Sequence, residues 1–167
     1  QERERLLKVA FPADIRAAES GAEVQFGQVR RPISTNTSWD RARYEVWCHR
    51  FVEIREGGFG QALVTTSTYG YDARRETRPD GGTTTTVRLS LLRAPQYPQP
   101  DTDRGRHHID YALVVGGAPE DVLAAAYAAN LPLRVGDFVE RSAVVRCDDP
   151  GLVIEAVKLA EDGSGDL

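Results

Sequence analysis

Val87, Leu89 and Leu91 alternate with Arg88, Ser90 and Leu92, and the same spacing returns at Ile109, Tyr111, Leu113 and Val115. A period of two marks a strand with one buried face, so two strands flank the segment between them. That segment holds Pro95, Pro98 and Pro100. Each proline withholds a backbone donor and fixes φ, so neither a sheet ladder nor a helix runs through it. The rest of the chain must accommodate this strand, loop and strand. With Tyr97, Asp101, Asp103, Arg104, His107 and His108 in or beside it, the loop is either a solvated crossover or a contact surface. On the residues alone the crossover ranks first.

The alternation recurs along the chain. Leu7, Val9 and Phe11 predict a strand over 5–11 that Pro12 ends, and Ser20-Gly21 reads as a turn. Ala22, Val24 and Phe26 predict a second strand closing near Pro32. Asn36-Thr37-Ser38-Trp39-Asp40 reads as a polar loop around one large aromatic, leading into Ala42, Tyr44, Val46 and a run over 51–54. Gly57-Gly58 then connects that run to 59–66 as a hairpin. Residues 72–84 read as a turn or loose hairpin tip. Pro119, acidic Glu120 and Asp121, and the shared face of Val122, Ala125, Ala126 and Ala129 predict one short helix, which Asn130 and Pro132 end. Strand, turn and strand are predicted over 144–146 and 152–159.

The sum is a mainly β chain, an antiparallel β-sandwich with one short helix. Its 167 residues suffice for a single domain with a real core, and 15 Gly with 9 Pro fit an architecture of many turns. At 161–166 the turn residues Asp-Gly and Ser-Gly have no returning strand, so the chain is expected to be truncated at its C-terminal end. A strand at 152–159 would then lie unpaired or pair with another molecule.

A formal charge of −4 argues against a nucleic-acid partner, and no apolar run approaches the ~20 residues of a membrane span. No signal peptide is visible, which sets a cytoplasmic expectation. Cys48 and Cys147 are read as reduced, buried thiols. Motifs for a nucleophile elbow, a phosphate loop, a dinucleotide fold or a metal pair are missing. His107 and His108 are adjacent, so on a strand they point to opposite faces; one is expected at the surface and one packed. Asp101, Asp103 and Asp110 are acids whose spacing in sequence cannot give a catalytic separation, and solvated loop acids are the default. Trp39, Tyr69 and Tyr71 read as loop aromatics able to stack on sugar rings, with packing as the equal alternative.

A wider pattern emerges from Asn36-Thr37-Ser38-Trp39-Asp40, Arg43-Tyr44-Glu45, His49-Arg50-Phe51, Tyr69-Gly70-Tyr71-Asp72, Leu89-Ser90-Leu91-Leu92-Arg93 and Asp103-Arg104-Gly105, continuing through His107 to Tyr111-Ala112-Leu113. In order and spacing this series resembles the C-terminal β-rich region of glycoside hydrolase family 38 α-mannosidases over residues 6–162. It departs from that family at 65–68, where an Asn-Asp pair and a Lys are expected before Tyr69. The resemblance implies a sandwich of the galactose-mutarotase-like, family 38 C-terminal type, packed on an N-terminal catalytic barrel of the same polypeptide. It also implies that a zinc ion, an aspartate nucleophile and an acid/base carboxylate reside in that barrel and hydrolyse α-mannosides with retention. No catalytic or metal residue is then expected in this chain, which alone would be inactive, and a mannose-containing glycan is the expected substrate of the whole. Trp39, Asp40, Tyr69, Tyr71, Asp72, Asp103, Arg104 and His107 become candidates for a substrate rim or domain interface, and the 93–105 loop reads as a docking or rim surface. The alternative is a free-standing carbohydrate-binding or structural β-sandwich without catalysis.

Overall fold

The computed structural model describes residues 3–133, 135 and 145–166. The chain divides into two units, Gln1–Pro132 and Leu133–Leu167. All the regular structure described lies in the first: β1 (Leu7–Ala13), β2 (Glu19–Val24), β3 (Gly27–Pro32), α1 (Ser38–Ala42), β4 (Val46–Trp47), β5 (Phe51–Glu56), β6 (Phe59–Thr65), β7 (Gly70–Thr77), β8 (Thr83–Leu92), β9 (Tyr111–Val115) and α2 (Pro119–Asn130). The expected strand at 152–159 does not form: that segment joins no ladder, and each of its residues is exposed. Of the companion strand over 144–146, Val144 lies outside the described residues, and Val145 and Arg146 are not in a strand.

Two antiparallel sheets form the sandwich. One runs β1-β8-β7-β4 and the other β3-β2-β5-β6-β9. Val87 and Leu89 of β8, Tyr71 of β7, Val52 and Ile54 of β5 and Leu63 of β6 meet between them, together with Ile15, Ala17, Ala22, Ile33 and Cys48. A second core lies on the other face of the five-stranded sheet, where Phe51, Ala62 and Val64 pack against Val122 and Ala126 of α2. With both faces covered, β5 and β6 bury consecutive residues, polar Glu53 and Gln61 among them, in place of an alternation. The helix begins where predicted; Ala118 N–H donates to the Asp121 carboxylate at 2.7 Å, satisfying one orphan amide of the first turn.

Several local expectations are corrected. Pro12 sits inside β1, opposite Thr86, because β1 is the edge of its sheet and needs no amide on its outer side. Ser20-Gly21 lies within β2, where a Cβ on Gly21 would come within 3.2 Å of the Glu53 side chain. The strand expected from Ala22 to Pro32 is two strands, turned at Gln25-Phe26 with Phe26 at φ 61°. Residues 72–84 are largely strand, since β7 and β8 pair from Tyr71↔Leu89 to Thr77↔Thr83. Residues 38–42 close a single helical turn because Thr37 Oγ1 accepts the Asp40 amide while the Asp40 carboxylate accepts that of Thr37. The Gly57-Gly58 hairpin is as expected, with Glu56 opposite Phe59 and both glycines at positive φ.

Tyr111, Leu113 and Val115 were expected to be buried, and instead are exposed. They belong to an edge strand, and among the described residues no strand lies beyond it. Ile109 precedes β9 and does not join it.

Candidate functional site

Three crossings between the sheets gather at one end of the sandwich: 48–50 between β4 and β5, 66–69 between β6 and β7, and 93–110 between β8 and β9. Local hydrogen bonds fix this end. The Cys48 amide donates to Tyr69 O at 2.9 Å, and Thr66 Oγ1 donates to Asp110 O at 3.2 Å, tying the second crossing to the first and third. The proline loop is pinned by Asp103, whose carboxylate accepts the Arg93 and Ala94 amides at 2.7 and 2.8 Å. Those two amides, Ala94 first, hold its pKa below the usual carboxylate range. Glu4 adds a second tie, donating its amide to Ala94 O and accepting that of Gln96.

The sequence candidates separate into distinct environments. Tyr69 is 56% exposed and its ring stacks on His49 with centroids 6.3 Å apart. Arg104 pairs with Asp101 at 2.8 Å, and His107 Nε2 lies 3.0 Å from Asp103 O. His107 and His108 are both exposed, which corrects the expectation that one is packed. Trp39, on α1, is 81% exposed. Tyr71 is fully buried in β7, so it is a core residue and offers no ring face to solvent. Gly70 gives no loop flexibility there either: a Cβ would come within 2.9 Å of the Glu45 carboxylate. Cys48 is buried as expected, but Cys147 is exposed; both are free thiols.

Asp72 is also buried, at the centre of an ionic network. Its carboxylate receives Lys8 Nζ at 2.6 Å and Arg88 Nε at 2.8 Å, while Lys8 also reaches Glu45 at 2.9 Å. Burial opposes ionisation of Glu45, but the Ser90 hydroxyl and Lys8 prevail and hold its carboxyl below the ordinary value. On the five-stranded sheet Arg50 clamps buried Glu23 and lies 3.9 Å over the Tyr127 ring, and Arg55 holds buried Glu53 at 2.6 Å. Sequence reasoning missed these networks. Single charges on alternating strands look like a solvated face, and no local signal identifies their long-range partners.

A cavity of about 370 Å³ opens beside β7 and α1. Its walls include Asp40, Arg41, Tyr44 and Arg75, with the Tyr71 hydroxyl bonded to Ser20 Oγ at 3.1 Å and to Arg31 at 3.2 Å. Asp40 is held below its usual pKa by the Thr37 hydroxyl and amide. Among the described residues no three His, Cys, Asp or Glu side chains gather as a metal site. No described helix is long and apolar enough to cross a membrane.

Fold and site together define a β-sandwich whose buried acids serve structural ion pairs, with Tyr69 and most of the 93–110 loop exposed at one end and Trp39 exposed on α1. The sequence profile of the Glycosyl hydrolases family 38 C-terminal domain matches residues 1–101, and the chain belongs to that family. It is 39% identical to human Alpha-mannosidase 2C1 over 168 residues, covering 96% of this chain and 15% of that protein. An α-mannosidase from Saccharomyces cerevisiae is 32% identical, with 97% and 15% covered. A crystal structure of an α-mannosidase from Enterococcus faecalis V583 shares the fold at a TM-score of 0.59 and 22% identity, covering 76% of this chain and 15% of that one. The chain thus spans about 15% of the length of the curated relatives it matches.

Proposed function

We propose that the chain is the accessory C-terminal β-sandwich of an α-mannosidase, a glycosidase that hydrolyses terminal α-D-mannosides. It supports the catalytic domain of the same polypeptide, and Trp39, Tyr69 and the 93–110 loop shape the approach to the substrate. The observation that carries this reading is identity to α-mannosidases across 96% of the chain at 15% of their length.

The acids of the chain favour the accessory role. A glycosidase needs one carboxyl kept protonated and a second ionised across the glycosidic bond. Here Asp72, Glu23 and Glu53 are each engaged by a cation. Glu45 is shifted towards ionisation, the opposite of what a general acid requires. Retention, the zinc ion and its ligands are assigned, by resemblance to the family, to the N-terminal catalytic domain of the same polypeptide.

The experiment compares the 167-residue chain with the full parent polypeptide on an aryl α-mannoside. The expected result is turnover by the parent and none by the chain. Turnover by the pure chain would overturn the accessory assignment; a parent without activity would favour a free-standing binding or structural sandwich.

A further inference from the structure

β9 is an unusual edge. Its sequence, Tyr-Ala-Leu-Val-Val, is apolar throughout, and none of its five residues is buried. Solvent-facing edges in stable proteins are normally shortened, charged, bulged or covered, because an apolar edge pairs with any strand it meets. β9 carries no charge and no proline.

Its register determines which groups are free. The Gly116 amide donates to Gly60 O at 2.8 Å, and the ladder continues as Val114↔Ala62 and Ala112↔Val64. Backbone groups in an antiparallel strand alternate sides, so those of Ala112 and Val114 bond β6 and those of Tyr111, Leu113 and Val115 point away. The side chains of these three share the face of Leu63, which is the face between the sheets. They are 41%, 46% and 60% exposed. Phe59 is also exposed, and Phe11 of β1 touches Tyr111 edge to face with centroids 5.7 Å apart. Among the described residues, donors and acceptors without a strand partner and an exposed apolar flank therefore coincide on one strand.

We propose that β9 is a docking edge for an extended segment of the parent polypeptide. The segment adds a strand beside Tyr111, Leu113 and Val115 and brings apolar side chains at alternate positions over their exposed faces. This rests on the accessory-domain reading. The occupant follows from length, because in relatives of this chain about 85% of the polypeptide lies outside the matched region. It follows also from chemistry, because main-chain bonds supply affinity along an edge while alternate side chains supply the fit.

Hydrogen exchange resolved to single amides tests the proposal. In the parent, the Leu113 and Val115 amides should exchange at least about 100-fold more slowly than in the dilute 167-residue chain, with Ala112 and Val114 protected in both. Equal rates in the two proteins would overturn it. Protection found only in the concentrated chain, rising with self-association, would make a second copy the occupant and also overturn it. Leu113→Lys adds an independent reading. It should lower the melting point of the parent and leave that of the dilute chain unchanged, whereas equal losses would mean that Leu113 acts within the chain and would refute docking. Mannoside turnover by the parent is read separately, so an inactive parent with protected amides would refute the function and leave the strand.

Discussion

Tyr69 and Tyr71 stand two positions apart and have opposite fates. Tyr71 places its ring between the sheets and its hydroxyl on Ser20 and Arg31, while the Tyr69 ring stays at the surface against His49. Tyr71→Ala should therefore cost about 3–5 kcal/mol, as for other large aromatics removed from a core. Tyr69→Ala should change stability by less than about 0.5 kcal/mol. Denaturant titration of the two variants checks both. Cys48 gives a pH signature of its own. Burial, the largest influence, pushes its thiol from 9.0 up to about 12. A pKa raised in the folded state contributes stability that is complete below the unfolded value and is lost as pH rises towards the folded one. The denaturation midpoint should fall between pH 9 and 12, and the part due to this thiol should vanish in Cys48→Ala. At neutral pH a maleimide should label exposed Cys147 and spare Cys48.

Among the elements, the β5–β6 hairpin and α2 were legible because their signals are local: Gly57-Gly58 for a tight turn, Pro119 with two acids for a helix start. β2 was not, because the Ser20-Gly21 turn signal yields to its place between β3 and β5. Small residues suit that place: Gly21 makes room for Glu53, and Ser20 reaches Tyr71. The three prolines fix what the 93–110 loop cannot be, whereas Asp103 fixes what it is. Asp103→Ala should remove the two amide bonds at Arg93 and Ala94. Proteolysis and amide exchange over 93–105 should then quicken, while the cooperative unfolding of the sandwich stays in place. Loss of that global transition would show that the loop supports the core.

Across the whole molecule, surface and core divide the candidate residues. Trp39, Tyr69, Arg104 and His107 are exposed, and Asp103 partly so, whereas Tyr71 and Asp72 hold β7 in place. In the parent, the Trp39→Ala, Tyr69→Ala double variant should reduce kcat/KM on a mannoside several-fold with little change in melting point. A fall in melting point with unchanged kcat/KM would make these aromatics packing residues of a domain contact.

The sequence by itself determined the β character, the helix at 119–130, the Gly57-Gly58 hairpin and the family, because alternation, turn chemistry and motif order are written locally along the chain. Only the tertiary structure decided which face of each strand is buried, that Tyr71 and Asp72 are interior, and that β9 is an edge with no further strand beside it among the described residues. Burial and ion pairing join residues far apart in the chain: Lys8 with Asp72, Glu23 with Arg50, and Phe11 with Tyr111. A period of two marks a strand, but which of its faces is covered depends on what the fold places beside it.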